Sequence, residues 1–195
     1  KFLKSGPGFG GSCFKKDILN LIYICNHYGL EEVASYWQKT IDINCWQKNR
    51  ITKVIIENLF GTISEKKIAV LGFAFKPNTN DTRDSPAITI CNDLLEEGCN
   101  LSIYDPKVKE SQIENELNKT SIKSKTGSGE WNFANSLYEA ITDADAIIFL
   151  TGWDEFGDLN FERISKAMNI PKWIFDTRNM VDLNKIRNYG FKLWK

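Results

Sequence analysis

Cys13 and Asp17 stand four residues apart, directly after a run of glycines, Gly6-Pro-Gly8-Phe-Gly10-Gly11-Ser12. If a helix begins near Ser12, Cys13 lies in its first turn and Asp17 lies on the same face one turn on. A helix N-terminus favours an anion, so it raises the thiolate fraction of a cysteine placed there. Lys15 and Lys16 add positive charge nearby. A thiolate beside a carboxylate and lysines suits nucleophilic catalysis with acid–base assistance. Taken alone, a cysteine in such a helix also reads as a small buried thiol, and Cys25, Cys45, Cys91 and Cys99, which lie in apolar patterns, are read that way.

The glycine run satisfies G-x-G-x-x-G literally. A dinucleotide fingerprint needs a strand immediately before it and a strand–helix–strand unit around it. Only five residues precede Gly6, and the next element after the following helix is another helix. The run therefore reads as a loop whose bare backbone can approach a ligand closely.

These residues need elements to hold them. A helix is expected from about Cys13 to Tyr28, with Gly29 as its C-cap. A longer one runs from about Glu31 to Phe60, where Val33, Trp37 and Ile41, and then Ile51, Ile55 and Leu59, recur at i+4. From about residue 64 the pattern changes. Lys67-Ile-Ala-Val-Leu-Gly72 reads as a buried parallel strand. Ser85-Pro86 supplies an N-cap and an N1 proline for a helix ending near Gly98, and Leu101-Ser-Ile-Tyr-Asp105 reads as the next strand. Residues 111–136 are polar and are expected to be irregular. Ala144 to Leu150, Phe161 to Met168 and Trp173 to Asp176 continue as strand, helix and strand. The expected fold class is α/β: a long central helix followed by a doubly wound, mostly parallel, Rossmann-like domain.

Bulk properties narrow the function. Lysine plus arginine and aspartate plus glutamate both number 25, which gives no electrostatic reason to expect nucleic acid or an anionic membrane as partner. There is no apolar run of membrane-spanning length and no signal segment at the start. The 5 cysteines are scattered without a CxxC pair, so no metal site is expected, and free thiols suit a reducing cytoplasm. His27 reads as a surface or capping residue, and the tryptophans read as core or interface.

The run from Gly8 through Cys13 to Asp17 resembles the catalytic-cysteine signature of the nucleotide-sugar 6-dehydrogenases, the UDP-glucose/GDP-mannose dehydrogenase family. The resemblance continues through Tyr36-Trp-Gln-Lys39, Gly72-Phe-Ala-Phe-Lys76, Asp81-Thr-Arg83-Asp-Ser85, Tyr104-Asp-Pro106 and Phe175-Asp-Thr-Arg178, and so covers essentially the whole chain. In detail it is closest to the UDP-glucose branch. The family implies an enzyme that oxidises UDP-glucose to UDP-glucuronate in two hydride transfers to NAD. Cys13 would attack the aldehyde to give a thiohemiacetal. The second transfer would give a thioester, and Asp17 would assist water in releasing the acid.

The resemblance also implies binding residues. Phe2, Lys4, Phe9, Gly10 and Phe14 match positions around the sugar and uridine, Phe75 and Lys76 match nucleotide-sugar contacts, and Arg178 matches a substrate-binding arginine. Arg83 matches a contact to the cofactor NAD. Alone, Lys76 and Arg83 would be solvated loop charges and Phe75 a core residue. Residues 1–62 would be the catalytic-cysteine loop and dimerisation helices of a homodimer or higher homo-oligomer, and residues 63–195 the UDP-sugar-binding domain. The family's N-terminal NAD-binding domain, with its catalytic lysine and asparagine, is expected to lie outside this chain, so the chain alone is expected to be inactive. Two alternatives stay open: a dehydrogenase of UDP-N-acetylmannosamine or GDP-mannose, and a non-catalytic sugar-nucleotide-binding or dimerisation module.

Overall fold

The computed structural model describes residues 4–59, 61–120 and 129–195. Two antiparallel-paired helices lead the chain: α1, Phe14–His27, and α2, Glu31–Asn58. Gly29 turns the chain between them with φ +70°. Lower α2 buries Ile51, Ile55 and Leu59, one stripe at i+4, against the rest of the protein. The upper row behaves differently: Val33 is exposed, and Trp37 and Ile41 are only half-buried. Cys45 also departs from the expected burial. It lies beside Trp46 on the turn of α2 that faces solvent, whereas Cys25, Cys91 and Cys99 are buried.

The remainder is an α/β domain. Its strands are β1 Lys67–Leu71, β2 Asn100–Tyr104, β3 Trp131–Phe133, β4 Ala146–Phe149, β5 Trp173–Asp176 and β6 Lys192–Trp194. They form one 6-stranded sheet in the order β3-β2-β1-β4-β5-β6. Every pairing is parallel. The connecting helices are α3 Pro86–Glu96, α4 Glu110–Thr120, α5 Leu137–Ile141, α6 Phe161–Ala167 and α7 Leu183–Ile186. α2, α3 and α4 pack in series and α5 packs with α6, the grouping expected where the winding direction reverses between β1 and β4. At α3 the Ser85 hydroxyl accepts the Ala87 N–H at 3.3 Å, and Pro86 fills the first turn.

The expectation of irregular chain over 111–136 is corrected. α4 occupies much of it, because Ile113 and Leu117, an i,i+4 pair, are fully buried and dock an otherwise polar helix. Trp131–Phe133 adds an edge strand. Residues 121–128 of that stretch lie outside the described residues.

The sheet reverses its winding between β1 and β4. In such sheets ligands settle in the crevice outside the carboxyl ends of the strands at that point. The carboxyl ends of β1 and β5 lead into Phe75-Lys76 and Arg178.

Candidate active site

The glycine loop lies over this crevice, fastened from two sides. From α2, Asn44 Oδ1 accepts the Phe9 N–H at 2.8 Å and Asn44 Nδ2 donates to the Phe9 carbonyl at 3.1 Å. Gln47 Nε2 donates to the Gly6 carbonyl at 3.1 Å. From the α/β domain, the Arg83 carbonyl accepts the Gly11 N–H at 2.8 Å. A methyl group on Gly11 would stand 2.9 Å from Cε2 of Phe75, and one on Gly10 would strike the Asp84 carbonyl. Lys15, in the first turn of α1, closes the seam with a 2.9 Å ion pair to Asp84.

α1 begins at Phe14, with Cys13 at the N-cap and without a side-chain cap. Cys13 is exposed, 3.8 Å from the Ser12 hydroxyl. The Asp17 N–H donates to the Cys13 carbonyl at 2.9 Å, so both residues share the first turn, and Asp17 is exposed as well. The Phe9 ring meets Phe14 edge-on at 4.7 Å between centroids. The helix after the loop leads into another helix and not into a strand. The loop is not a dinucleotide fingerprint.

At the end of β1 the backbone is held by Asp105, which follows β2. Asp105 Oδ2 accepts the N–H groups of Phe73 at 2.7 Å and Ala74 at 3.0 Å, and the indole N–H of Trp153 at 3.1 Å. Its Oδ1 accepts Lys107 and Val108 at 2.9 and 3.0 Å. The acid at this place in a dinucleotide-binding sheet would hold a ribose hydroxyl. Here five protein donors occupy it, and it is buried. Ser85 Oγ donates to the Phe73 carbonyl at 2.8 Å and Thr151 Oγ1 to the Ala74 carbonyl at 2.5 Å. The strand end is thereby rigid up to Phe75. Beyond it Lys76 is exposed, its ammonium 5.2 Å from the Phe75 ring centroid.

Arg178 lies past the end of β5. Its Nε donates to the Leu150 carbonyl at 2.8 Å, and a methyl on Gly6 would meet its Nη1 at 2.7 Å. Nη2 is buried without a protein partner, and burial draws the guanidinium down to about 10. An orphaned, buried cation donor is costly unless a ligand acceptor completes it. A cavity of about 290 Å³ lies near this end of β5, lined by Ser5, Gly6, Gln47, Arg50, Thr177 and Trp194 among others but not by Arg178 itself.

Arg83 is exposed and forked onto Asp81, with Nη2 to Oδ2 at 2.7 Å. Asp81 holds its guanidinium above the ordinary value, with a smaller contribution from Cys13. The structure thus gathers Gly6, Gly10, Gly11, Phe75, Arg83 and Arg178 around one seam, with Cys13 at its edge. Lys4 is exposed at the start of the described loop, and Phe2 lies outside the described residues. Sequence reasoning missed Asn44 and Gln47, and it gave no role to Asp105 of the Tyr104-Asp-Pro106 run. A polar residue facing inward in mid-helix, and an acid just past a buried strand, were the available signals.

Residues 69–183 match the model of the UDP-glucose/GDP-mannose dehydrogenase family, UDP binding domain. The chain belongs to that family. Residues 1–46 match the central domain of the same UDP-glucose/GDP-mannose dehydrogenase family. The chain is 50% identical over 196 residues to UDP-glucose 6-dehydrogenase of Drosophila melanogaster, covering 98% of this chain and 40% of that protein. It is 49% identical over 201 residues to UDP-glucose 6-dehydrogenase 3 of Arabidopsis thaliana, again over 98% of this chain and 42% of the relative. The chain therefore spans well under half the length of the curated relatives it matches. Among solved structures it is similar to a UDP-glucose dehydrogenase from Pyrobaculum islandicum, with TM-score 0.73 and 26% identity over 97% of this chain and 38% of that one. An NDP-N-acetyl-D-galactosaminuronic acid dehydrogenase from Methanosarcina mazei shares the fold, with TM-score 0.75 and 22% identity over 98% of this chain and 39% of that one.

Proposed function

We propose that this chain is the cysteine-bearing, sugar-nucleotide-binding part of an NAD-dependent UDP-glucose 6-dehydrogenase. The observation that carries the reading is the docking of the Cys13 loop onto Phe75 and Arg83 at the carboxyl end of β1. It sets a nucleophile beside the crevice where a nucleotide sugar would lie. Residues 1–62 supply the cysteine loop and the dimerisation helices, and residues 63–195 the UDP-sugar domain.

In this reading Arg178 completes its buried Nη2 with an oxygen of the nucleotide sugar, and Lys76 adds charge over the diphosphate. Lys4, Phe9, Gly10 and Phe14 surround the sugar and uridine, and Phe2 belongs to the same set. In this reading the exposed Arg83, paired with Asp81, is the residue of this chain that meets NAD. When bound, NAD supplies the hydride acceptor. Cys13 attacks the C6 aldehyde, holds the carbon as thiohemiacetal and then thioester, and is freed by water that Asp17 orients and deprotonates. Tyr36, Ile43 and Trp46, exposed by 60–69% along α2, support a homodimer. Five unpaired cysteines suit a reducing cytoplasm.

The five thiols provide the test. Cys13 and Cys45 are exposed, whereas burial pushes Cys99 up to about 12 and raises Cys91 further. With iodoacetamide at neutral pH, Cys13 is expected to react faster than Cys45, and UDP-glucose is expected to slow Cys13 alone. Equal rates, indifferent to UDP-glucose, would contradict the assignment.

A further inference from the structure

Asn44 lies in the middle of α2, a helix of 28 residues, and is 8% exposed. Asparagine is a poorer helix former than alanine or leucine, and an inward amide must find partners. Both its polar atoms are spent on one residue of the glycine loop, the backbone of Phe9. The fit is close on the neighbouring residue too. Gly8 has φ +129°, and a methyl there would stand 2.7 Å from Asn44 Oδ1. From Phe9 the contact passes edge-on to the Phe14 ring, and Phe14 follows Cys13.

We propose that Asn44 is a positioning residue for the candidate active site: its amide sets the register of Gly8–Gly10 and, through Phe9 and Phe14, the place of Cys13 over the crevice. The inference rests on the site reading above. Asn44 bonds only the backbone of Phe9, a residue of the proposed binding set, so it acts through the loop. It also explains why the loop, short of secondary structure of its own, can hold a defined path across the domain: α2 supplies a backbone-like partner, donor and acceptor together, where no strand is available.

The test compares wild type, Asn44→Ala and Asn44→Leu. Both substitutions favour the helix, and leucine also keeps the branched shape of the side chain. Amide hydrogen exchange is read at Phe9, whose N–H loses its acceptor, and UDP-glucose affinity is read by calorimetry. Both variants are expected to exchange Phe9 and its loop neighbours at least about tenfold faster while α2 and the sheet keep wild-type protection, and to bind UDP-glucose about tenfold more weakly. Wild-type exchange at Phe9 in both variants would overturn the inference. So would a uniform rise in exchange across the whole chain, which marks a merely structural role. If wild type itself binds no UDP-glucose, the substrate reading fails, and the exchange comparison still decides the role of Asn44.

Discussion

Gly6 and Arg178 press together: a methyl group on Gly6 would stand 2.7 Å from the Arg178 guanidinium, whose other terminal nitrogen is buried without a partner. The loop thus caps a cation that the protein has half-desolvated and only partly satisfied. Such an arrangement costs stability in the free chain and rewards an anionic ligand.

Arg178→Met should separate these two effects. It removes the orphan donor, keeps much of the apolar stem and forfeits one bond to Leu150. The thermal midpoint of the free chain is expected to stay level or rise. UDP-glucose affinity is expected to fall by about 1.5–3 kcal/mol, roughly 10- to 150-fold. Unfolding monitored by circular dichroism and binding by calorimetry check the two halves, and unaltered binding would remove Arg178 from the site.

Much of this architecture was legible in the sequence. The strand Lys67–Leu71, the Ser85-Pro86 helix start and the two leading helices follow from local rules that tertiary contacts did not override. α4 was not legible, because only Ile113 and Leu117 mark its buried side among polar residues. The Cys45 misreading came from apolar neighbours: Ile43 and Trp46 are exposed by 64% and 60%, so an apolar pattern on upper α2 marks an uncovered face rather than a core. The site residues came from a motif with fixed register. The amide of Asn44 could not, since both its partners are backbone groups of Phe9, far away in sequence, and Asp105, although it stands in the Tyr104-Asp-Pro106 run, showed nothing of its bonds to Phe73, Ala74 and Trp153.

Asp105 makes the second prediction. Asp105→Ala leaves five donors without their acceptor, four of them backbone N–H groups at the ends of β1 and β2. A loss of at least about 3 kcal/mol is expected in urea unfolding, since each buried orphan costs about 1–3 kcal/mol. A change under about 1 kcal/mol would show that these groups find water instead.

Asp93 on α3 gives a pH dependence. Burial raises its carboxyl above the usual range, opposed by the Thr52 hydroxyl at 3.3 Å, with Glu96 and Glu97 adding to the rise. A carboxyl raised in the folded state contributes stability below its unfolded value, and that contribution is lost as pH rises through the folded value. Asp93→Asn stays neutral throughout. Its thermal midpoint is expected to exceed that of wild type at pH 7, and the gap is expected to close as pH falls through the raised value. A gap independent of pH would contradict the sign.

The central claim is that a UDP-glucose site lies where the cysteine loop meets the ends of β1 and β5. Titration calorimetry of this chain with UDP-glucose, and with GDP-mannose as the control, tests it most directly. Saturable binding of UDP-glucose, with GDP-mannose weaker, is the expected result. Binding of neither nucleotide sugar, or of GDP-mannose in preference, would contradict it.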